Sequence, residues 1–519
     1  RNLPTVIVMA PPAEIELENT ARLLDPERPH TIVVAGGGHA AHVLLGLLGA
    51  NPLYTVKLWD ARSHHLTTWR RQLDASGNLV SVTNEGAAMA GVSALVVQGT
   101  VAAVSDNPAD VLPGADMLII AAPAFAHDTY LKGCVPYVSD STVIGTMVAS
   151  GGFEWALRDA FGDRIDRMVT FGMDTLPWAC RRTVMGRAAT ILGTKLLVHV
   201  AVTPPGSYDA VLCFLNAALS VGALPWFELA PGGYVATTLM NANAYYHTAI
   251  VHGEFAEWDG TPYAAPPAFY DGVAQELAGA TIEQLSTEHL AIKEALIRAF
   301  PSLELGSVVS LPAFFYSLYG DQIGDWSSLA RALQTNKPFK GLRHYMVPAP
   351  GDEDGYLPDV DARYFTEDVP FGLVPIKGIA LCAGVPTPTI DRLITWCQGM
   401  MGKQYLVDGE LRGRDVAETR CPQRYGFHTL DDLLTCDRSL APSIEWDELP
   451  ESDTGVENRS AVSTGANSIA GSAHDEMATL ASRTADNRGD VPDGPPPLKV
   501  ARHHAVSSPP LPSDMFAAG

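Results

Sequence analysis

Basic residues are scarce in this chain: 35 Lys and Arg stand against 58 Asp and Glu, a formal net charge of −23 over 519 residues. A nucleic-acid binder needs a basic face to neutralise phosphates, so nucleic acid is not an expected partner, and neither is an anionic membrane surface. The deficit leaves small anions open, because a local cationic pocket can sit inside a negative protein. Long apolar runs are also missing. The longest, Val211 to Ala230, is interrupted by Asn216, Pro225 and Glu228 and reads as a buried helix rather than a membrane span. Residues 1–29 lack the charged-then-apolar order of a signal peptide. There is no CxxC pair, no spacing of metal ligands and no internal repeat, so no metal is expected. The seven cysteines are scattered, and an odd count in a long chain reads as reduced thiols in a cytoplasmic compartment. Cys134, Cys213 and Cys382 stand among apolar neighbours and are expected to be inert core.

What is present is enough apolar material for a large core, 47% of residues, in a chain long enough for two or more domains. The runs Thr31–Ala35, Thr55–Trp59, Asp116–Ala121 and Thr142–Val148 are short, β-rich and nearly continuous in apolar character. Strands buried on both faces of a parallel sheet look like this, and their alternation with helix-like segments predicts a doubly wound α/β domain over 30–205. From 206 to 440 the pattern turns helical; Leu285, His289, Ile292, Leu296 and Phe300 recur every three or four residues and mark one helix face. Residues 1–29 read as an N-terminal extension. Residues 441–519, acidic, low in complexity and poor in large apolar side chains, read as a disordered tail.

Directly after the first strand comes Gly36-Gly37-Gly38-His39-Ala40-Ala41, a GxGxxA pattern that opens the apolar stretch Val43–Leu48. Gly36 permits a tight turn, Gly38 lets backbone approach a pyrophosphate at a helix N-terminus, and Ala41 lets helix and strand pack closely. Asp60 ends the second strand, 22 residues after Gly38, where a carboxylate accepts hydrogen bonds from the adenine ribose. Together these predict an NAD site. Arg62, two residues further on, keeps NADP open. The loop Ala122-Pro123-Ala124-Phe125-Ala126-His127 follows the DMLIIA strand at its carboxyl end, where open α/β sheets bind ligands. Pro123 is expected against the cofactor. His127 is either a substrate-lining side chain or an exposed histidine on a connecting turn.

Two later stretches concentrate polar chemistry. Asn243 and His247 are four apart in NANAYYH and share a helix face. Arg363 to Leu373, RYFTEDVPFGL, packs a cation, two acids and a Pro/Gly turn into eleven residues. Here the chain resembles the octopine/opine dehydrogenase family. The resemblance runs from about Thr31 to Phe427 and rests on GGGHAA, APAFAH, the N-x-x-x-H segment with Trp258-Asp259-Gly260, Phe269-Tyr270-Asp271-Gly272, RYFTEDVPFGLVPIKGIA, Val385–Asp391 and Pro422-Gln423-Arg424-Tyr425-Gly426. It implies a Rossmann domain joined to an all-helical domain with the active site between them, and reductive condensation of an amino acid with a 2-oxo acid. It also implies His247 as catalytic histidine, Asp368 as its paired aspartate and Arg363 as the holder of a substrate carboxylate. Asn243 either positions substrate or caps a helix. The chain departs from the family at His39, where Asn is commoner, at Thr248, where Pro often follows the histidine, and in Met147–Ser150, which lacks the usual Pro.

The chemistry asks for these residue types on its own terms. Amine and carbonyl become carbinolamine and then imine only with proton transfers, which an imidazole performs near neutral pH. A buried carboxylate orients the ring, and a guanidinium grips a carboxylate with two prongs. Two other readings stay open: a 2-hydroxy-acid dehydrogenase of similar two-domain plan, and a non-catalytic dinucleotide sensor. The expected partners are small molecules, and the expected state is a monomer or small homo-oligomer.

Overall fold

The computed structural model describes residues 28–85, 95–222, 224–272, 275–351 and 354–440. The extension expected over 1–29 falls almost wholly outside these residues, and the tail over 441–519 falls wholly outside them. All described residues belong to one compact unit.

The four apolar runs form strands where expected. In chain order the first half contains β1 (His30–Ala35), α1 (His39–Leu48), β2 (Tyr54–Trp59), α2 (Ser63–Ser76), β3 (Leu79–Asn84), β4 (Leu95–Thr100), β5 (Ala103–Ser105), β6 (Met117–Ile120), α3 (Ala124–Cys134), β7 (Val143–Thr146), α4 (Phe153–Phe161) and β8 (Thr170–Met173). After them come β9 (Trp178–Val184), β10 (Ala188–Thr194), β11 (Leu197–Thr203), α5 (Tyr208–Leu219) and β12 (Trp226–Leu229). An eight-stranded sheet has the order β12-β11-β8-β7-β6-β1-β2-β5. From β8 to β5 every pairing is parallel; β11 runs antiparallel to β8. The chain builds outward from β1 through β2 to β5, then crosses back to β6. The strand order therefore reverses between β1 and β6, which opens a crevice at their carboxyl ends.

Two features correct the sequence reading. The sheet takes in β12, so its strands continue past residue 205 to Leu229. The apolar stretch read as one helix is thus split into α5 and an edge strand, with Pro225 between them. A second sheet, β4-β3-β10-β9, was not anticipated. It covers the side of α1 that faces away from the large sheet. A Cβ on Gly46 of α1 would stand 2.3 Å from Val82 of β3, and a Cβ on Gly99 of β4 would meet the Gly46 carbonyl at the same distance. Sandwiched in this way, α1 buries eight of its ten residues, which is why Val43–Leu48 is apolar on all sides.

The second half is mainly helical: α6 (Gly233–Leu239), α7 (Ala242–Phe255), α8 (Gln275–Ala299), α9 (Leu311–Tyr319), α10 (Leu329–Thr335), α11 (Arg363–Thr366), α12 (Val374–Cys382), α13 (Pro388–Met400) and α14 (Leu430–Cys436). Leu285, His289, Ile292 and Leu296 are fully buried along α8, as their spacing predicts. The expectation of an all-helical domain needs one amendment. Met346–Pro348 and Tyr356–Pro358 form a short antiparallel ladder, β13 and β14. α7 packs on α8, α11, α13 and the π turn Val369–Leu373, so the core that holds the bundle together also sets the position of α7 against the segment after α11. Cys134 is core as expected, but Cys213 is exposed and Cys382 half-buried, because apolar neighbours in sequence do not fix which face of a helix is covered. Among the described residues no helix is long and apolar enough to cross a membrane, and no cluster of three His, Cys, Asp or Glu is arranged around a metal position.

Candidate active site

The glycine turn sits at the strand-order reversal. Gly36 has φ +108°, donates its N–H to the Trp59 carbonyl at 2.8 Å, and has no space for a Cβ, which would stand 2.6 Å from the Ala121 carbonyl. Glycine is required there by both conformation and close approach. Gly38 caps α1, and a Cβ on it would meet nothing within 4 Å. The space in front of the helix N-terminus is open, as a bound pyrophosphate requires. Ala41 is fully buried where α1 packs on the strands. These residues fit a dinucleotide.

Gly37, the variable position of the pattern, also proves constrained. A Cβ there would lie 2.0 Å from Asp60 Oδ2. Asp60 ends β2 as expected, yet it has no exposed surface and its oxygens are taken by the chain's own donors. Arg62 donates through Nε at 3.0 Å and Nη2 at 3.3 Å, His65 Nδ1 lies at 3.0 Å, and Trp69 donates through Nε1 at 3.2 Å. Burial by itself raises a carboxyl pKa; the hydrogen bonds and the Arg62 charge outweigh it and hold Asp60 below its ordinary value.

His42, one turn into α1, is fixed between two backbone groups. Its Nδ1 lies 2.7 Å from the Gly38 carbonyl and its Nε2 2.8 Å from the Gly186 N–H. A carbonyl demands a donor and an N–H demands an acceptor, so this ring is neutral with its proton on Nδ1. Burial lowers its pKa to about 3. His39, the departure from the family pattern, accepts the Arg182 N–H on Nδ1 at 2.8 Å and so ties α1 to β9.

On the helical side, α7 carries His247 one turn after Asn243. The His247 Nδ1 lies 2.8 Å from Asp368 Oδ2, across 121 residues of chain. The rings of Tyr364 and Phe269 flank the imidazole at 4.5 and 5.7 Å. With Nδ1 engaged, Nε2 is the nitrogen left for a reacting group. Asp368 is buried at the junction of α11 and the π turn, and its N–H donates to the Arg363 carbonyl at 3.1 Å. Arg363 therefore stands close to the dyad.

Glu367, which the sequence reading did not single out, borders the candidate site. Its Oε2 receives both Nε and Nη2 of Arg363, while its Oε1 accepts the Ala124 N–H at 2.9 Å, next to Pro123 at the start of α3. One carboxylate thus joins the proposed substrate-gripping arginine to the strand-end loop of the other half. The i,i+4 spacing to Arg363 was its signal. Arg420 was also missed. Fully buried, it donates to the carbonyls of Ala149 at 3.2 Å and Ala124 at 3.1 Å, and its guanidinium lies 5.4 Å from the Phe371 ring. It pins the loop after β7, where Val148 (φ +78°) and Ser150 (φ +52°) hold conformations that a β-branched or ordinary residue seldom takes. This is the loop that lacks the family's proline.

Two expectations change. Asn243 is exposed, and the helix N-cap is Asn241, so the capping alternative falls away. His127 has no exposed surface: its Nε2 lies 3.0 Å from the Ala122 carbonyl and its ring packs edge-on against Phe153. In this conformation it supports the APAFAH loop from beneath, instead of lining the cleft or standing on an exposed turn. At Thr248 the hydroxyl bonds back to the Ala244 carbonyl, and α7 continues without a proline.

Residues 231–401 match the family described as NAD/NADP octopine/nopaline dehydrogenase, alpha-helical domain. The chain is 36% identical over 404 residues to the octopine dehydrogenase of Mizuhopecten yessoensis, which spans 78% of this chain and 98% of the relative. It is 34% identical over 411 residues to the tauropine dehydrogenase of Arabella iricolor, which spans 78% and 99%. The solved structure of octopine dehydrogenase with NADH and agmatine aligns with a TM-score of 0.69 at 34% identity, covering 78% of this chain and 98% of that one. NADP+-bound yersinopine dehydrogenase, at 16% identity and a TM-score of 0.51 over 79% and 97%, shares the fold.

Proposed function

The chain belongs to the octopine/nopaline dehydrogenase family, and from that premise we propose that its cleft joins the amine of an amino acid to the carbonyl carbon of a 2-oxo acid. It is an NAD-dependent oxidoreductase acting on small molecules. The observation that carries the site assignment is the 2.8 Å contact between His247 and Asp368 beside Arg363.

In the proposed sequence, Arg363 exchanges Glu367 for the 2-oxo acid carboxylate, gripping it with two N–H groups and presenting the carbonyl carbon. Asn243, exposed one turn before His247, faces incoming substrate. His247 takes a proton from the amino acid's ammonium group on Nε2, which frees the lone pair to attack that carbon. The same nitrogen returns the proton to the carbinolamine hydroxyl, which leaves as water and gives a protonated imine. Asp368 holds Nδ1–H throughout and stabilises the ring when it is charged. Gly36, Gly38 and Pro123 would border the dinucleotide, with Ala41 setting the close helix–strand approach and Asp60 lying beneath the turn; when bound, the dinucleotide would supply the hydride for the imine carbon. One amine, one 2-oxo acid, one NADH and one proton yield one N-(carboxyalkyl) amino acid, NAD+ and water.

A matrix of amino acids against 2-oxo acids, read by NADH oxidation, tests this. Turnover is expected only when both partners are present. Oxidation with the 2-oxo acid alone would assign the chain to the hydroxy-acid dehydrogenases. NADH binding without turnover in any pair would favour a sensor. The six free thiols among the described residues support a reducing, cytoplasmic location. A monomer or small homo-oligomer is proposed, to be read by light scattering.

A further inference from the structure

An amino acid and a 2-oxo acid bring two carboxylates to one cleft, and their condensation product keeps both. Arg363 accounts for the carboxylate of the 2-oxo acid. The other one, on the amino acid, also loses water on entering the site, which is costly unless a cation meets it. Most basic side chains near the glycine turn and the strand-end loops are already committed. Arg62 pairs with Asp60, Arg182 points its Nη1 at the Gly37 carbonyl, Arg420 binds the carbonyls of Ala149 and Ala124, and Lys195 binds the Thr175 hydroxyl.

Arg181 differs from these. Burial alternates along β9, with Trp178 and Cys180 covered and Ala179 and Arg181 exposed. The neighbouring Arg182 ties the strand to the N-terminus of α1 through His39, so Arg181 stands on the open face of β9 beside the glycine turn. Among the described residues no carboxylate pairs with it, and its Nη1 donates to the carbonyl of the adjoining Cys180 at 3.0 Å. Its charge reaches the helical half at Tyr364. That ring lies 4.5 Å from His247 and stacks on Phe269 at 4.6 Å. Burial raises the pKa of the Tyr364 hydroxyl, and Arg181 and Arg363 oppose the rise. The tyrosine that flanks the reactive imidazole is thus within the field of one guanidinium from each half.

We propose that Arg181 binds the α-carboxylate of the amino acid while Arg363 binds the carboxylate of the 2-oxo acid. The two cations then hold the amine and the carbonyl carbon toward each other beside His247. This rests on the condensation reading of the site. It is tested by initial rates on the full chain with NADH and pyruvate or 2-oxoglutarate. Each amino acid that supports turnover is paired with its decarboxylated amine, such as L-arginine with agmatine and L-alanine with ethylamine. The amines are read as substrates or as competitors of the amino acid. In Arg181→Ala the KM for the amino acid should rise about ten- to a hundredfold, the worth of a charged hydrogen bond. The KM for the 2-oxo acid and the affinity for the decarboxylated amine should stay as in the wild type. Arg181→Lys, which keeps the charge and loses the two-pronged grip, should be impaired less. An unchanged amino-acid KM in Arg181→Ala overturns the assignment, as does an equal loss for the amino acid and its amine. Absence of turnover with every amino acid in the wild-type protein overturns the condensation reading on which the assignment stands.

Discussion

His42 and His247 sit in the two halves of this molecule and are held in contrasting ways. His42 is clamped at both nitrogens by backbone, a carbonyl on one side and an N–H on the other. His247 is held at one nitrogen by a carboxylate and keeps its second nitrogen for other use. Backbone partners cannot change their charge or move without unfolding, so the first ring has one permitted protonation state and is structural. A carboxylate tolerates either state of the ring it holds, so the second can gain and lose a proton without losing its support. The same contrast runs through the carboxylates. Asp60 is saturated by its own neighbours, whereas Asp368 holds one ring and Glu367 holds the guanidinium of Arg363.

The largest expected effect lies at the free nitrogen. His247→Ala should lower kcat by about 10²- to 10⁴-fold, the range for loss of a positioned acid–base group, while fluorescence titration finds NADH affinity intact. A parallel loss of NADH affinity would place the ring in the cradle rather than the chemistry. Next is Arg363→Lys. Replacing a two-pronged grip by a point charge should cost roughly 1.5–3 kcal/mol, the worth of a charged hydrogen bond. The readout is a rise in KM for the 2-oxo acid of about ten- to a hundredfold, and an unchanged KM would remove Arg363 from the substrate site.

The clamped histidine should respond to acid. Its folded pKa is about 3 against an unfolded value of 6.5, so the unfolded state binds more protons between these values. Stability is fully present above the unfolded value and is lost as pH falls toward the folded one. Between pH 7 and 5 the loss should be about 2 kcal/mol, measured by urea unfolding, with a shallower pH slope in His42→Gln. Equal slopes in both proteins would mean that the acid sensitivity lies elsewhere. The smallest effect is expected for Gly37→Ala, whose Cβ must displace the Asp60 carboxylate. Dinucleotide Kd should rise about tenfold, near 1.4 kcal/mol; an unchanged Kd would show that the carboxylate can give way freely.

Much of the dinucleotide half was legible because its signals are contiguous. β1, the glycine turn and Asp60 fall within about thirty residues, so their placement follows from local geometry. In the helical half the family resemblance pointed to His247, Arg363 and Asp368, and the fold brings His247 within 2.8 Å of Asp368. Glu367 sat in view inside RYFTED, yet its bond to Ala124 joins positions 243 apart. Arg420 gave no signal, since nothing in a run of residues announces a buried guanidinium that binds carbonyls nearly three hundred positions away. The second sheet was hidden for a related reason. The apolar-all-round pattern of α1 says that a helix is covered, not by what.

Local chain chemistry alone determined that a strand, a glycine turn and a helix would follow one another, because backbone sterics and period-two or period-3.6 burial act over a few residues. Only the tertiary structure decided which groups are free to act. Asp60 was placed correctly by its spacing from Gly38, but whether its oxygens face a ribose or are spent on Arg62, His65 and Trp69 depends on side chains that folding brings together. The same holds for His127, whose position in a strand-end loop was evident and whose burial was not. Availability of a polar atom is a property of everything packed around it, and that is settled by long-range contacts.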